Sequence, residues 1–327
     1  MKILKKLSAL FICFALLFSS ACSTGETVVS NMFASQYWLS NTETDVGEIN
    51  ETSVYTVSFV EAEADDGETQ LKSTLSGTLT TNIQTATYEN QKCYKFTTNL
   101  TASGTYTYGD QTVEINDSIT STVYFLGISA KFFPLYSEKT VNTTSPTKVA
   151  DFKFVNLSYS VSTKYNKEEN SALVKVVSTA PDDAQYTVTE GERTYTKLTK
   201  NGAYLDNESL IFIPRASDLL AGFSASFNTI DALSQKVHNM YLSVSSSAPT
   251  SEITLSGGYT IDGQEVNPKF SCYNATISIN DTFSGSPLKL YYSSDAKTHG
   301  KRLVKMESEL AYSLGKIVYE LQSVTHA

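Results

Sequence analysis

The chain has 327 residues, 41% hydrophobic and 18% charged, with a net charge of −9 and a pI near 5.0. That length is ample for one large core or two smaller ones. The acidic balance excludes the basic footprint that nucleic acid or an anionic membrane face requires, so no nucleic-acid partner is expected.

The first residues carry the most specific signal. Lys2, Lys5 and Lys6 form a basic patch, and Leu7 to Phe18 is apolar except for Ser8. This run is shorter than the ~20 residues that cross a bilayer and suits the apolar region of a signal peptide. Ser19, Ser20 and Ala21 supply the small residues that a signal peptidase requires, and Cys22 follows. Ordinary cleavage near Ala21 would leave Cys22 as an odd thiol.

Ser19-Ser20-Ala21-Cys22 resembles a lipobox, the cleavage motif of bacterial lipoproteins, although Ser19 stands where Leu is commonest. The resemblance implies that residues 1–21 are removed and that Cys22 carries a diacylglycerol. Two or more acyl chains hold a protein stably at a membrane, at ~0.8 kcal/mol per buried CH₂. It further implies an extracytoplasmic protein of the cell envelope whose first partner is the membrane itself. Residues 22–35 read as a small, polar tether. Without residues 1–21 the net charge becomes −12, from 22 basic and 34 acidic residues.

Residues 36–327 read as one β-rich domain, with room for two sub-sheets. Thr, Ser, Val and the 20 Tyr dominate, and such residues fit a pleated, half-buried surface. "ETSVYTVSFVEAEA" alternates at Tyr55, Val57 and Phe59 before Asp66-Gly67. "LKSTLSGTLTT", "KCYKFTTNL", "GTYTY" and "QTVEI" follow, the last two around Gly109-Asp110. "RTYTKLT" precedes Asn201-Gly202 and "SGGYTI" precedes Asp262-Gly263. Such Gly-containing dipeptides between alternating runs are strong hairpin signals. A helix is expected in "FNTIDALSQKVHNMYL", capped by Asn228 or Thr229, with Ile230, Leu233, Val237 and Tyr241 at helical spacing. "DNESLIFIPRASDLLAGF" reads as a helix, or as a strand ended by Pro214. A final hairpin sets Val304, Met306, Leu310 and Tyr312 on one face, turns at Ser313-Leu314-Gly315, and returns with Ile317, Tyr319 and Leu321.

The expected class is therefore mainly β: a large antiparallel curved sheet or half-barrel, alternatively a β-sandwich, with one or two short helices. A long meander, a central helical insertion and the closing "RLVKMESELAYSLGKIVYELQ" hairpin resemble the half-barrel carriers of the LolA/LolB type. That architectural resemblance implies a curved sheet that holds a lipid or other hydrophobic ligand on its concave face. It assigns no individual residues.

Chemistry is sparse. Cys93 and Cys272 both precede a Tyr in strand-like runs; they are either a disulfide, which an extracytoplasmic setting permits, or two separate thiols. Three histidines occur: His238 beside the apolar face of the expected helix, His299 in "SSDAKTHGKR", and His326 at a terminus expected to fray. Ser293 or Ser294 with Asp295 and His299 would crowd a triad into one turn, with no nucleophile elbow. Ser145-Pro146-Thr147-Lys148 and Ser294-Asp295-Ala296-Lys297 match S-x-x-K without its partner motifs. Glu61, Glu63 and Asp65 alternate on one strand face but lack a calcium-loop pattern. No metal, cofactor or catalytic residue is expected. Tyr37-Trp38, Tyr106, Tyr108 and Tyr291-Tyr292 are aromatic candidates for a binding surface, with packing as the alternative. Three functions remain: a carrier with an apolar concavity, a surface module acting through its outer face, and an unrecognised hydrolase.

Overall fold

From Asn50 onward the chain alternates inward and outward, and this period of two builds the walls. In β1 (Asn50–Val60), Glu51, Ser53, Tyr55 and Val57 point inward and are buried. The computed structural model describes residues 45–327 except 64–68, 148–151, 182–186, 200–202, 218, 220, 247–250, 280–286 and 296–299. Cys22, the tether and Tyr37-Trp38 lie outside the described residues, as do Asp65, Asp66-Gly67, Asn201-Gly202 and His299.

The first half is a meander of long strands. β2 (Leu71–Ser73), β3 (Ser76–Tyr88), β4 (Gln91–Tyr108), β5 (Gln111–Phe125) and β6 (Pro134–Thr147) are followed by β7 (Lys153–Asn166), β8 (Ser171–Ser178) and β9 (Gly191–Thr196). Glu89 and Asn90 turn β3 into β4 with φ of 46° and 66°. This is the positive-φ pair of a type I′ hairpin, made without glycine. The second half has β10 (Ala203–Tyr204), β11 (Ser224–Asp231), β12 (Lys236–Val244), β13 (Ser251–Thr254), β14 (Thr260–Ile261) and β15 (Gln264–Glu265). It ends with β16 (Lys269–Ile279), β17 (Leu288–Ser293), β18 (Leu303–Glu309) and β19 (Lys316–His326).

These strands form one large curved sheet that does not close. Its ladder runs β9-β8-β7-β6-β5-β4-β3-β1-β19-β18-β17-β16-β12-β11-β10. Pairing is antiparallel apart from β10–β11 and β14–β19. The expected closing hairpin is present, with Glu309 facing Lys316 and Gly315 at φ 125°, but its turn is longer than expected: the strand ends at Glu309, and Tyr312, expected on the strand face, is exposed in a 3₁₀ turn. A Cβ on Gly315 would lie 2.6 Å from the Phe59 ring. The two lateral edges approach each other through side chains. Asn228 Nδ2 donates to the Leu198 carbonyl at 2.7 Å. Phe133, Tyr165, Tyr195, Tyr204 and Ile230 pack in the seam.

The helix expected at 228–241 is instead the β11–β12 hairpin. Phe227 pairs with Met240, and Ala225, Phe227, Met240 and Leu242 are buried with a period of two. The helical spacing of Ile230, Leu233, Val237 and Tyr241 arises because a turn, Ala232 to Gln235, falls between two alternating runs. Asp231 Oδ1 accepts from Leu233 N at 3.0 Å, and Gln235 turns at φ 56°. Among the described residues the only helical turns are short 3₁₀ segments.

Two of these turns, Asn207–Ser209 and Ile213–Ala216, belong to the segment that fills the concave side of the sheet. Leu205, Leu210, Ile211, Phe212, Ile213 and Leu219 are all buried there. Apolar side chains leave this segment in every direction because wall surrounds it, so no single helical face is needed. Asp206 starts the first turn by accepting from Glu208 N at 2.8 Å, and Pro214 opens the second, where no N–H is required. Phe212 stacks on Phe96 of β4 with centroids 4.9 Å apart.

Candidate functional site

Charges at inward positions of the wall hold the filling segment. Glu51 on β1 receives Arg215 Nη1 at 2.6 Å and Nη2 at 3.4 Å, and Arg302 Nε at 3.2 Å. Arg215 also donates to the Gly300 carbonyl at 3.1 Å and lies over the Phe212 ring. Burial pushes the Glu51 carboxyl up, but the Arg215 and Arg302 guanidiniums beside it outweigh burial and hold it down at about 2. His326 does not fray. Its backbone N donates to Asp262 Oδ1 at 2.7 Å, its Nδ1 sits 3.0 Å from Asp262 Oδ2, and its Nε2 sits 2.9 Å from Arg302.

At the other end of the segment, Lys139 Nζ on β6 meets Glu208 Oε1 at 3.0 Å. Tyr165 donates to Asp206 Oδ2 beside it. Burial raises the Glu208 carboxyl, and nearby Asp206 adds to the rise that Lys139 opposes. Asp117, inward on β5, accepts from Thr143 Oγ1 and Thr144 N, both at 2.8 Å. Burial still pushes it to about 6. Between wall and segment there remains a space of about 10 Å³, bounded by Glu51, Tyr55, Thr81, Phe96, Phe212 and Arg215. That is about the space of one water.

The histidines assemble no catalytic set among the described residues. His238 is buried on β12, with Ser234 Oγ 3.3 Å and Asp231 Oδ2 3.9 Å from the same nitrogen, Nε2. A triad divides these roles, with serine on one ring nitrogen and carboxylate on the other. Ser294 Oγ donates to the Ser271 carbonyl, and the Asp295 backbone N donates to Ser293 Oγ. Ser145 of one S-x-x-K match lies in strand β6, not at a helix start.

Cys93 and Cys272 are buried on β4 and β16 as two separate thiols, with no disulfide joining them in this structure. Burial raises both thiols, Cys272 to about 12, which keeps them in the unreactive protonated form. Among the aromatic candidates, Tyr106 and Tyr292 are core residues, and Tyr292 donates to the Ile211 carbonyl of the filling segment at 2.8 Å. Tyr108 stacks on Phe152 at 3.7 Å and Tyr291 is half-buried.

A second opening lies on the outer face. A groove of about 220 Å³ crosses β5 to β8. Two rows of outward side chains line it. Thr122, Glu138, Ser162 and Lys175 face one another in register; Thr120, Thr140, Ser160 and Val177 form the next row. Tyr88, Tyr124 and Tyr136 border one end, with Tyr88 5.0 Å from Tyr124 and 5.7 Å from Tyr136 by ring centroids. Tyr136 donates to Glu138 Oε2 at 3.1 Å, which fixes the carboxylate at the groove. The Glu89-Asn90 tip leans across this face, and Glu89 pairs with Lys164 of β7 at 2.9 Å. None of these three tyrosines stands out in sequence, because their grouping depends on the twist that carries the tip of β3 over β5 and β6.

No helix among the described residues is long and apolar enough to cross a membrane. No family model and no curated protein matches the sequence. Among solved structures the chain is similar to a β-barrel-like protein of domain of unknown function DUF1849 from Brucella abortus. The identity is 12% and the TM-score 0.47, covering 86% of this chain and 98% of that one.

Proposed function

We propose that this protein is a lipid-anchored, extracytoplasmic module of the bacterial cell envelope that binds through the outer face of its curved sheet and performs no catalysis. The observation that carries this reading is the apolar segment, Leu205 to Ser217, packed on the concave side of the sheet. A carrier of acyl chains needs a continuous apolar concavity of the ~300–1,000 Å³ typical of ligand sites. Among the described residues, the space between Phe212, Arg215 and the wall is about 10 Å³, and the groove on the outer face is about 220 Å³. A hydrophobic ligand taking the place of residues 205–217 would have to break the Glu51–Arg215 and Lys139–Glu208 pairs. The lipobox-like Ser19-Ser20-Ala21-Cys22 supports the anchor, and Ser234 and Asp231, both nearest the same nitrogen of His238, do not have the arrangement of a triad.

Mass spectrometry of the intact protein after mild detergent extraction tests the proposal. The expected species begins at Cys22, carries a diacylglyceryl mass and brings no stoichiometric lipid. A lipid co-purifying one-to-one would overturn the outer-face reading in favour of a carrier. An unmodified N-terminus near Cys22 would overturn the anchor.

A further inference from the structure

We infer that the outer groove over β5 to β8 is a binding site for an uncharged, hydroxyl-rich polysaccharide. This rests on the outer-face reading and adds the ligand class. Three observations converge. Five hydroxyl side chains, Thr120, Thr122, Thr140, Ser160 and Ser162, lie in two registered rows across three strands. Each hydroxyl both donates and accepts, as does each sugar hydroxyl. Neighbours in a row follow the ~4.8 Å spacing of adjacent strands, comparable with the length of one sugar ring.

The second observation is the tyrosine group at the groove end. Tyr88, Tyr124 and Tyr136 are half-buried and packed on one another, so they offer a stiff apolar surface with polar tips beside the hydroxyl rows. An apolar sugar face against such a surface, with its hydroxyls on the rows, satisfies both partners. The tip of the β3–β4 hairpin, held by Glu89–Lys164, stands as a wall at this end.

The third is charge. Glu138 and Lys175 are the outward charges lining the groove; Lys139, which also lines it, is buried and paired with Glu208, and Lys95 lies over the Tyr124 ring at the groove end. The chain around them has a net charge of −9. Glu138 offsets Lys175 on the groove and Glu89 offsets Lys164 at its end, so an anionic polymer or a cationic peptide finds little unbalanced charge there beyond Lys95. An uncharged glycan needs none. At about 220 Å³ the groove is smaller than sites that enclose a whole small molecule. It would seat about one ring while the polymer continues along the Ser118, Asn142 and Ser158 row.

Affinity electrophoresis of the full, detergent-extracted protein through gels containing amylose, laminarin, xylan or galactomannan is the test. Purified peptidoglycan and heparin serve as anionic counterparts. Retardation by at least one uncharged polysaccharide and by neither anionic polymer is expected. Tyr136→Ala should weaken retention about tenfold, equivalent to about 1.4 kcal/mol. Glu138→Gln, which keeps the shape, should weaken it less, and Val237→Ala on β12 not at all. Unchanged thermal unfolding of Glu138→Gln keeps the test valid if Tyr136→Ala folds poorly. The inference is overturned by no retardation on any uncharged polymer, by equal retention on the anionic ones, or by retention that both groove variants leave untouched. A lipid-free protein that fails to bind glycan sinks this inference alone, whereas co-purifying lipid sinks the outer-face reading beneath it.

Discussion

The two ends of the filling segment are tied to the wall by the same kind of bond, a buried carboxylate on a buried cation, yet they differ in kind. Glu51 is shared by Arg215 and Arg302, with His326 3.6 Å away, and its carboxyl sits at about 2. Glu208 has one cation, Lys139, and an amide contact from Asn207, while burial, with Asp206 beside it, raises its carboxyl. A buried ion pair stabilises only when partners outweigh desolvation. The Arg215 end meets that condition and acts as a clasp. The Lys139 end is nearer to break-even and serves to place the segment.

Breaking the clasp should have the largest effect. Arg215→Ala removes the bidentate partner of Glu51 and the group over Phe212. A loss of about 3–5 kcal/mol is expected in urea denaturation at neutral pH. If Lys139→Met costs as much, the two ends do not differ as argued. The expected cost of Lys139→Met is about 1–3 kcal/mol at neutral pH, and less at acidic pH, where Glu208 is protonated.

The pH profile sharpens the same contrast through two groups of opposite sign. Glu51 titrates lower in the fold than its ordinary 4.5. Its contribution is fully present above 4.5 and is lost as pH falls towards 2. Asp117 titrates higher, at about 6 against 3.8. The fold therefore retains a proton that the unfolded chain releases, and stability falls as pH rises from 3.8 through 6, by about 3 kcal/mol. The combined contribution of these two groups is greatest at about pH 4–5. Asp117→Asn should flatten the fall between pH 4 and 6 in thermal scans. A profile that rises monotonically to pH 7 would count against buried Asp117. The smallest effect belongs to the outer face: Thr140→Ala should change stability by no more than about 0.5 kcal/mol, because it fills no core and pairs no charge.

Much of the wall was legible. Alternation at Tyr55, Val57 and Phe59, the Asp262-Gly263 turn and the closing hairpin all appear in register. The hidden site also left a trace. Glu51, Asp117 and Lys139 occupy the same parity as their apolar neighbours Tyr55, Ile115 and Val141, which points a charge inward. Arg215 interrupts an apolar run in the same way. Their partners were not legible, since Glu51 and Arg215 are 164 residues apart. The 228–241 hairpin was misread as a helix because a tight turn can imitate a 3.6-residue period.

Sequence alone determined the class of this protein: side-chain alternation and β-branched residues commit the chain to a sheet with one wet face, whatever its final closure. The lipobox-like Cys22 is equally local, since a short contiguous motif needs no fold to be read. Tertiary structure decided what the sheet encloses. An apolar segment from the same chain occupies the concave side, and a tyrosine-edged groove opens on the outer face. That outcome depends on curvature, twist and contacts across more than a hundred residues, and none of these is written in any local period.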